Sequence, residues 1–484
     1  MSADTLAHSL ALIGLVILVS SLLSGIVERT GVPQVAIFLL LGAVLGPAGL
    51  GLVQLTLESP TLEWIATLGL VLVLFTDAIA MDLSEIRRPR HLLFVVLGPA
   101  TLLPAILIGL AAWLLLDLRP LSAAILGAAL GSTDPVMLRA LTRRPSLPAI
   151  VRQALRLEGG VNDVVLLPIV VLSILAMSQG RMMNTEMVRH AIGLFLLGPA
   201  LGALAGYVAI TLLVQVRTRF TVRRDYESLY ALGVAFTAFA AAESVGGSGF
   251  LAAFAAGVVI ARLDVELCDC FLDYGQATAE MFLLFTFVAF GAWLIWTGFN
   301  VADARTLVFA VLALLMRTVV LLLVLPRNVL ERSSRSLIAW MGPRGLSSLL
   351  LVLLPVFAGV EGSQHLFEIT SLVVLLSVLL HGTGIAVYLR RTEGAAAAVP
   401  EQPAPAAATP TAEHKVPERI TMGELRQLQA AGEPIVLADV RTERSYRDDN
   451  LQAEGAIRLP PDDAVRLARE KRLSNHATVV LYCT

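Results

Sequence analysis

Seven ionisable side chains stand inside stretches otherwise apolar enough to cross a bilayer: Asp77, Asp134, Glu158, Asp163, Glu243, Arg317 and Arg344. A charge in hydrocarbon is costly, so each is a candidate for function. Glu243, near the end of its stretch and followed by Ser-Val-Gly-Gly, also reads as an interfacial or structural acid. Asp77, one helical turn before Met81-Asp82, divides evenly between the two readings. Asp134 is sharper, because it sits mid-stretch in Gly-Ser-Thr-Asp-Pro (131–135). Pro135 has no N–H and disfavours helix at the residue before it, so a helix should break there. The break would free carbonyls and the Thr133 and Asp134 oxygens to face a cavity, which is how transporters build ion sites at the membrane midplane.

A second cluster is Leu-Glu-Gly-Gly-Val-Asn-Asp (157–163). On a helix, Glu158 and Asn162 share a face, and Gly159 and Asp163 lie on nearly the same one. Gly159 and Gly160 let another backbone come close. A hard cation such as Na+ takes oxygen ligands, which Asp163, Asp134, Thr133 and backbone carbonyls could supply. A carboxylate there can hold a proton or a metal ion, and the two would compete. Arg344, in Met-Gly-Pro-Arg-Gly-Leu-Ser-Ser (341–348), lies in a second Gly/Pro-interrupted stretch. Two such interrupted stretches point to a transport site. The expectation is that Arg344 offsets Glu158, with Glu158 orienting Asn162; the alternative is an arginine that snorkels to water.

The elements that must position these residues follow from composition. The chain has 484 residues, 56% hydrophobic and 15% charged, with a mean hydropathy of +0.77. Soluble proteins carry about 25% charged residues, so a polytopic membrane protein is indicated and a set of soluble domains excluded. No basic face suggests nucleic acid. Cys268, Cys270 and Cys483 make no disulfide framework, and Cys268-Asp-Cys270 is too closely spaced for zinc. No cofactor is called for. The first apolar stretch lacks a basic lead-in and reads as a retained helix. Runs of about 20 apolar residues give 13 spans, near 7–27, 33–54, 62–81, 92–116, 121–139, 149–176, 190–215, 227–245, 248–263, 276–297, 303–325, 335–358 and 366–389. Arginines divide 19 to 4 between alternate sides of these spans. The positive-inside rule then puts the N-terminus outside and the C-terminus in the cytoplasm of a plasma (inner) membrane.

Residues 392–418 are Ala/Pro-rich and read as a semi-extended linker between a membrane domain over 1–391 and a small cytoplasmic domain over 419–484. In that last part GELRQLQAAG and DDAVRLAREK read as helices, PIVLADV and TVVLYC as strands. The tail is a partial α/β unit.

Several of these pieces resemble the monovalent cation:proton antiporter-1 family, the sodium/proton exchangers of bacterial NhaP type and their animal relatives. They are Thr133-Asp134-Pro135, Glu158 with Asn162-Asp163, Gly247-Ser-Gly-Phe-Leu-Ala252 with Gly257, Arg317, and Gly342-Pro-Arg344-Gly345. They fall in order over about residues 5–390. The resemblance implies an all-α fold of two inverted repeats with two crossed discontinuous helices, a core and a dimerisation domain, a homodimer, and an elevator-like movement. It implies Na+ or another monovalent cation and H+ as substrates, bound at Asp163 with Asp134 and Thr133 beside it. Glu158 and Arg344 are then the pair supporting Asn162. Relatives of the Asn-Asp type are typically electroneutral. Two departures matter: Gly159 stands where many members have a serine, and Phe75-Thr76-Asp77 where some have a glutamate. Thr76 or Asp77 could substitute, and Na+, K+ and Li+ stay open. The tail resembles a rhodanese-like domain through Asp439-Val440-Arg441, Gly455-Ala456-Ile457 and Leu481-Tyr482-Cys483. Cys483 is the position of that family's active cysteine, but only Thr484 follows, so the tail is expected to be inactive.

Three functions compete at this point: a cation/proton antiporter, which is no enzyme; a channel or sensor on the same fold, motivated by Gly159 and Thr76; and a membrane-anchored sulfurtransferase, motivated by Cys483.

Overall fold

The computed structural model describes residues 34–53, 55–81, 98–142, 147–178, 191–219, 224–263, 265–325, 331–397, 435–440, 455–459 and 478–482, with a few isolated positions besides. It divides into two units, Met1–Pro400 and Glu401–Thr484.

The first unit is helical. Its helices are α1 Gln34–Leu45, α2 Pro60–Ala80, α3 Pro99–Leu115, α4 Pro120–Gly131, α5 Pro135–Thr142, α6 Ala149–Ser178, α7 Gly198–Arg219, α8 Arg224–Ser244 and α9 Gly249–Leu263. After these come α10 Val265–Ala292, α11 Ala304–Val324, α12 Arg332–Trp340, α13 Leu346–Phe357 and α14 Ser363–Ala397. By length and composition, six described segments can cross a membrane, or seven if Met281–Ala292 and Leu294–Val301, bent by 46°, form one span. Four shorter apolar helices accompany them. Large apolar side chains stand uncovered on the outside, such as Leu323 at 72% and Trp64 at 69% exposure. Water would penalise such a surface and lipid does not. The protein is a multi-pass α-helical membrane protein. The stretch read as the first span, 7–27, lies almost wholly outside the described residues.

Two of the stretches read as single spans are each two helices with a break. Residues 132–134 separate α4 from α5, and 341–345 separate α12 from α13. Pro135 occupies the first position of α5, where its missing N–H costs nothing. Pro343 lies inside the second break. The last helix differs from expectation at its end. The stretch from Thr392 reads as linker, yet α14 continues to Ala397. Alanine is the strongest helix former, and a run of it carries the helix on until Pro400 approaches.

In the second unit, strands β1 Ile435–Asp439, β2 Ile457–Arg458 and β3 Thr478–Tyr482 form a parallel sheet in the order β2-β1-β3. Ala438 opposes Ile457 on one side and Leu481 on the other. Asp439 is buried at the end of β1, with Arg458 at 3.6 Å. The two stretches read as tail helices lie almost wholly outside the described residues, and Cys483 lies outside them.

Candidate functional site

The two breaks meet. The Asp134 N–H donates to Pro343 O at 2.9 Å. One Asp134 carboxylate oxygen accepts from Val136 N–H and the other from Leu346 N–H, each at 2.9 Å. Asp134 therefore caps α5 in its own segment and α13 in the other, placing one negative charge at two helix N-termini. Gly345 permits this approach, because a Cβ there would collide with the Asp134 carboxylate.

The helix ends that stop at the breaks are met by arginines. The Arg344 Nη1 donates to Gly131 O at 2.9 Å and Ser132 O at 2.7 Å, satisfying carbonyls at the C-terminus of α4. The Arg317 Nη1 donates to Ala339 O at 2.8 Å, near the C-terminus of α12. Arg344 is fully buried at 0% exposure and is among the largest buried side chains. Its backbone N–H donates to Ser377 Oγ on α14 at 2.6 Å, and that hydroxyl lies 3.1 Å from His381 Nδ1.

Helix α6 runs alongside and brings the remaining groups. Glu158 receives a two-pronged pair from Arg317, Nε to Oε1 at 2.7 Å and Nη2 to Oε2 at 2.6 Å. One turn on, Asn162 Nδ2 donates to Thr133 O at 3.2 Å and to Thr133 Oγ1 at 2.6 Å. Asp163, buried, accepts on Oδ1 from the Ser132 hydroxyl. Ser347 is a further polar neighbour of that carboxylate, and Asp134 lies within electrostatic reach. The second oxygen of Asp163, Oδ2, has no hydrogen-bond partner. A buried carboxylate with an open oxygen is a costly arrangement unless something is meant to fill it. It can take a proton or a cation.

A family model described as "Sodium/hydrogen exchanger, transmembrane" matches residues 15–391. The chain belongs to that family. The exchanger is thus a secondary transporter rather than an enzyme. Among its relatives is the K(+)/H(+) antiporter NhaP2 of Shewanella sp. (strain ANA-3), 28% identical over 401 residues, covering 81% of this chain and 68% of that one. The K(+)/H(+) antiporter NhaP of Alkalimonas amylolytica is 26% identical over 404 residues, covering 79% and 66%. The fold is similar to the sodium proton antiporter MjNhaP1 from Methanocaldococcus jannaschii at pH 8. There the TM-score is 0.65 at 20% identity, covering 80% of this chain and 99% of that one.

Within the exchanger, Asp134, Thr133, Asn162, Asp163, Glu158, Arg317 and Arg344 gather as one connected group, with one change of partner. Glu158 pairs with Arg317, not with Arg344. The reason is rotational: Arg317 presents its fork to Glu158, while Arg344 points to the end of α4. Gly159 packs on Pro135, with a Cβ there only 3.1 Å from the proline ring, so this position is filled by a neighbour. Asp77 lies against α6, its Cβ 3.6 Å from where a Gly160 Cβ would be. Thr76 is buried, and its hydroxyl has no partner. Glu243, exposed in the last turn of α8, accepts from Gly249 N–H at 2.8 Å and so caps the start of α9. Sequence reasoning missed Ser132, Ser347, Ser377 and His381. The first two were signalled by their place inside the two interrupted motifs; nothing in the sequence marked the pair on α14.

Proposed function

We propose that this protein exchanges a monovalent cation, Na+ or K+ or Li+, for protons across the membrane, with Asp163 carrying either the cation or the proton. The observation that carries this reading is the buried Asp163 carboxylate with one oxygen open, at the junction of two broken helices. Thr133 and Asp134 stand beside it as further members of the binding region. Glu158, with its arginine, holds Asn162 in place, and Gly159 lets the two backbones close. The names of the relatives favour both ions: the similar sequences include K(+)/H(+) antiporters and the similar fold is a sodium proton antiporter. Asn162 cannot titrate, so one exchangeable proton per site remains and exchange is electroneutral.

The finer architecture belongs to the same reading: about 13 spans in two inverted repeats, with the helices broken at 132–134 and 341–345 as the crossed pair. Alternating access is of elevator type in a homodimer. The arginine asymmetry supports an inner-membrane orientation with the N-terminus outside.

The test is proton flux in proteoliposomes under a fixed pH gradient, adding Na+, K+ and Li+ in turn with Asp163→Asn as control. Cation-evoked proton movement, lost in the variant and indifferent to a clamped membrane potential, is expected. Cation flux without proton coupling would replace the exchanger by a channel.

A further inference from the structure

A dehydrated cation at Asp163 needs several oxygen ligands, and the breaks at first sight offer backbone carbonyls. Four of those carbonyls already accept a hydrogen bond, which leaves each with one lone pair. Arg344 holds Gly131 O and Ser132 O, Asn162 holds Thr133 O, and the Asp134 N–H holds Pro343 O. Asp134 is engaged at both carboxylate oxygens by helix N-termini, and the Thr133 hydroxyl accepts from Asn162. Against the Asp163 carboxylate, whose Oδ2 is open, stand two buried serine hydroxyls, one from each break region: Ser132 and, in the first turn of α13, Ser347. The Asn162 Oδ1, also without a partner, lies one residue away on the same helix.

We propose that the Ser132 and Ser347 hydroxyls are specificity-determining ligands of the transported cation, completing its shell around Asp163. The proposal rests on Asp163 being the exchange site and goes on to name the rest of its donors. A hydroxyl suits the task because it is donor and acceptor at once. Ser132 turns its proton onto the Asp163 carboxylate. When a cation arrives, the hydroxyl rotates about its C–O bond and presents a lone pair instead. No backbone movement is required and no charge is added, so the stoichiometry stays that of the carboxylate. The two serines come from separate broken segments, so the shell forms only while those segments are docked. Since the Asp134 cap and the Arg344 contacts hold them together, the site is preorganised.

The test uses the full chain in proteoliposomes and measures the concentrations of Na+ and of Tl+ that give half-maximal proton exchange. Ser347→Ala and Ser132→Ala should each raise the Na+ value about tenfold, the loss of one polar contact of roughly 1.4 kcal/mol, with the rate recovered at saturating Na+. Ser347→Thr, which keeps the hydroxyl, should restore the value. Ser347→Cys should impair Na+ more than Tl+, because sulfur is a poor partner for a hard cation and a better one for a soft cation. Unchanged half-saturation in the alanine variants would overturn the proposal. Equal impairment of Na+ and Tl+ in the cysteine variant would also overturn it, since that is the signature of altered packing. Should Ser132→Ala fail to fold, the Ser347 series decides alone. Exchange that survives Asp163→Asn would instead sink the parent reading of the site, and the two failures are thereby distinguishable.

Discussion

The two broken segments answer the same physical problem with opposite chemistry. Each interrupts a helix inside the membrane and leaves carbonyls at one end and N–H groups at the other without partners. The segment at 132–134 supplies oxygens: a carboxylate, two hydroxyls and three carbonyls. The segment at 341–345 supplies a guanidinium and a proline carbonyl. Asp134 serves the helix starts on both sides, while an arginine serves each helix stop, Arg344 for α4 and Arg317 for α12. The second segment braces the first, through the Arg344 bonds to Gly131 O and Ser132 O. By occupying carbonyls of the first break with Arg344, it holds that segment beside the buried acid of α6.

Asp134, shared by both segments, is the most sensitive point. Asp134→Ala removes the acceptor of two charge-assisted bonds and strands two buried N–H groups, a loss of about 3–6 kcal/mol. The purified protein should unfold at a much lower temperature, or fail to accumulate. Next comes the α12 stop: Arg317→Met leaves Glu158 buried and unpaired, costing about 3–5 kcal/mol. Adding Glu158→Gln to that variant should recover much of the thermal midpoint. Simple additivity in this double-mutant cycle would show that the pair does not act as a unit. Gly345→Ala pushes a methyl into the Asp134 carboxylate and should cost about 1–3 kcal/mol, read as a smaller midpoint shift with weakened cation-induced stabilisation.

The smallest effect is expected at the start of α11. Asp303 caps α11 by accepting from Thr306 N–H at 2.7 Å. Hydrogen bonding from the Thr306 hydroxyl, and then from its N–H, holds the Asp303 carboxyl below the usual aspartate range. A depressed folded value means the cap stabilises above the unfolded aspartate range and is lost as pH falls through the folded value. Asp303→Ala should therefore lower the midpoint slightly at neutral pH and match the parent under strongly acidic conditions.

Much of this arrangement was legible in the residues. Gly131-Ser-Thr-Asp-Pro135 and Gly342-Pro-Arg-Gly345 carry their own breaks, because proline forbids the next helical hydrogen bond whatever surrounds it. The spacing of Glu158, Asn162 and Asp163 put the acids of α6 in register by helical geometry alone. The partner of Glu158 was not legible. Arg317 and Arg344 are both buried arginines, and only the rotation of α11 and the path of the second break decide which one reaches α6. Ser132 and Ser347 escaped for a different reason: a serine in a small-residue segment looks like a packing choice until its neighbour is known. Ser377 and His381 lie on an apolar helix whose sequence gives no hint that it abuts the second break.

Helix α14 is longer than a bilayer's hydrocarbon is thick. At about 1.5 Å per residue its 35 residues extend roughly 52 Å, against a hydrocarbon thickness of about 30 Å. A tilt cannot absorb such an excess, so the rod must emerge from the bilayer by several turns. Through Ser377 its buried part grips the backbone of Arg344, which makes the emergent turns a handle. A few degrees of rotation applied to it in water would become a displacement of the second break, a leverage open to anything that grasps the protruding end.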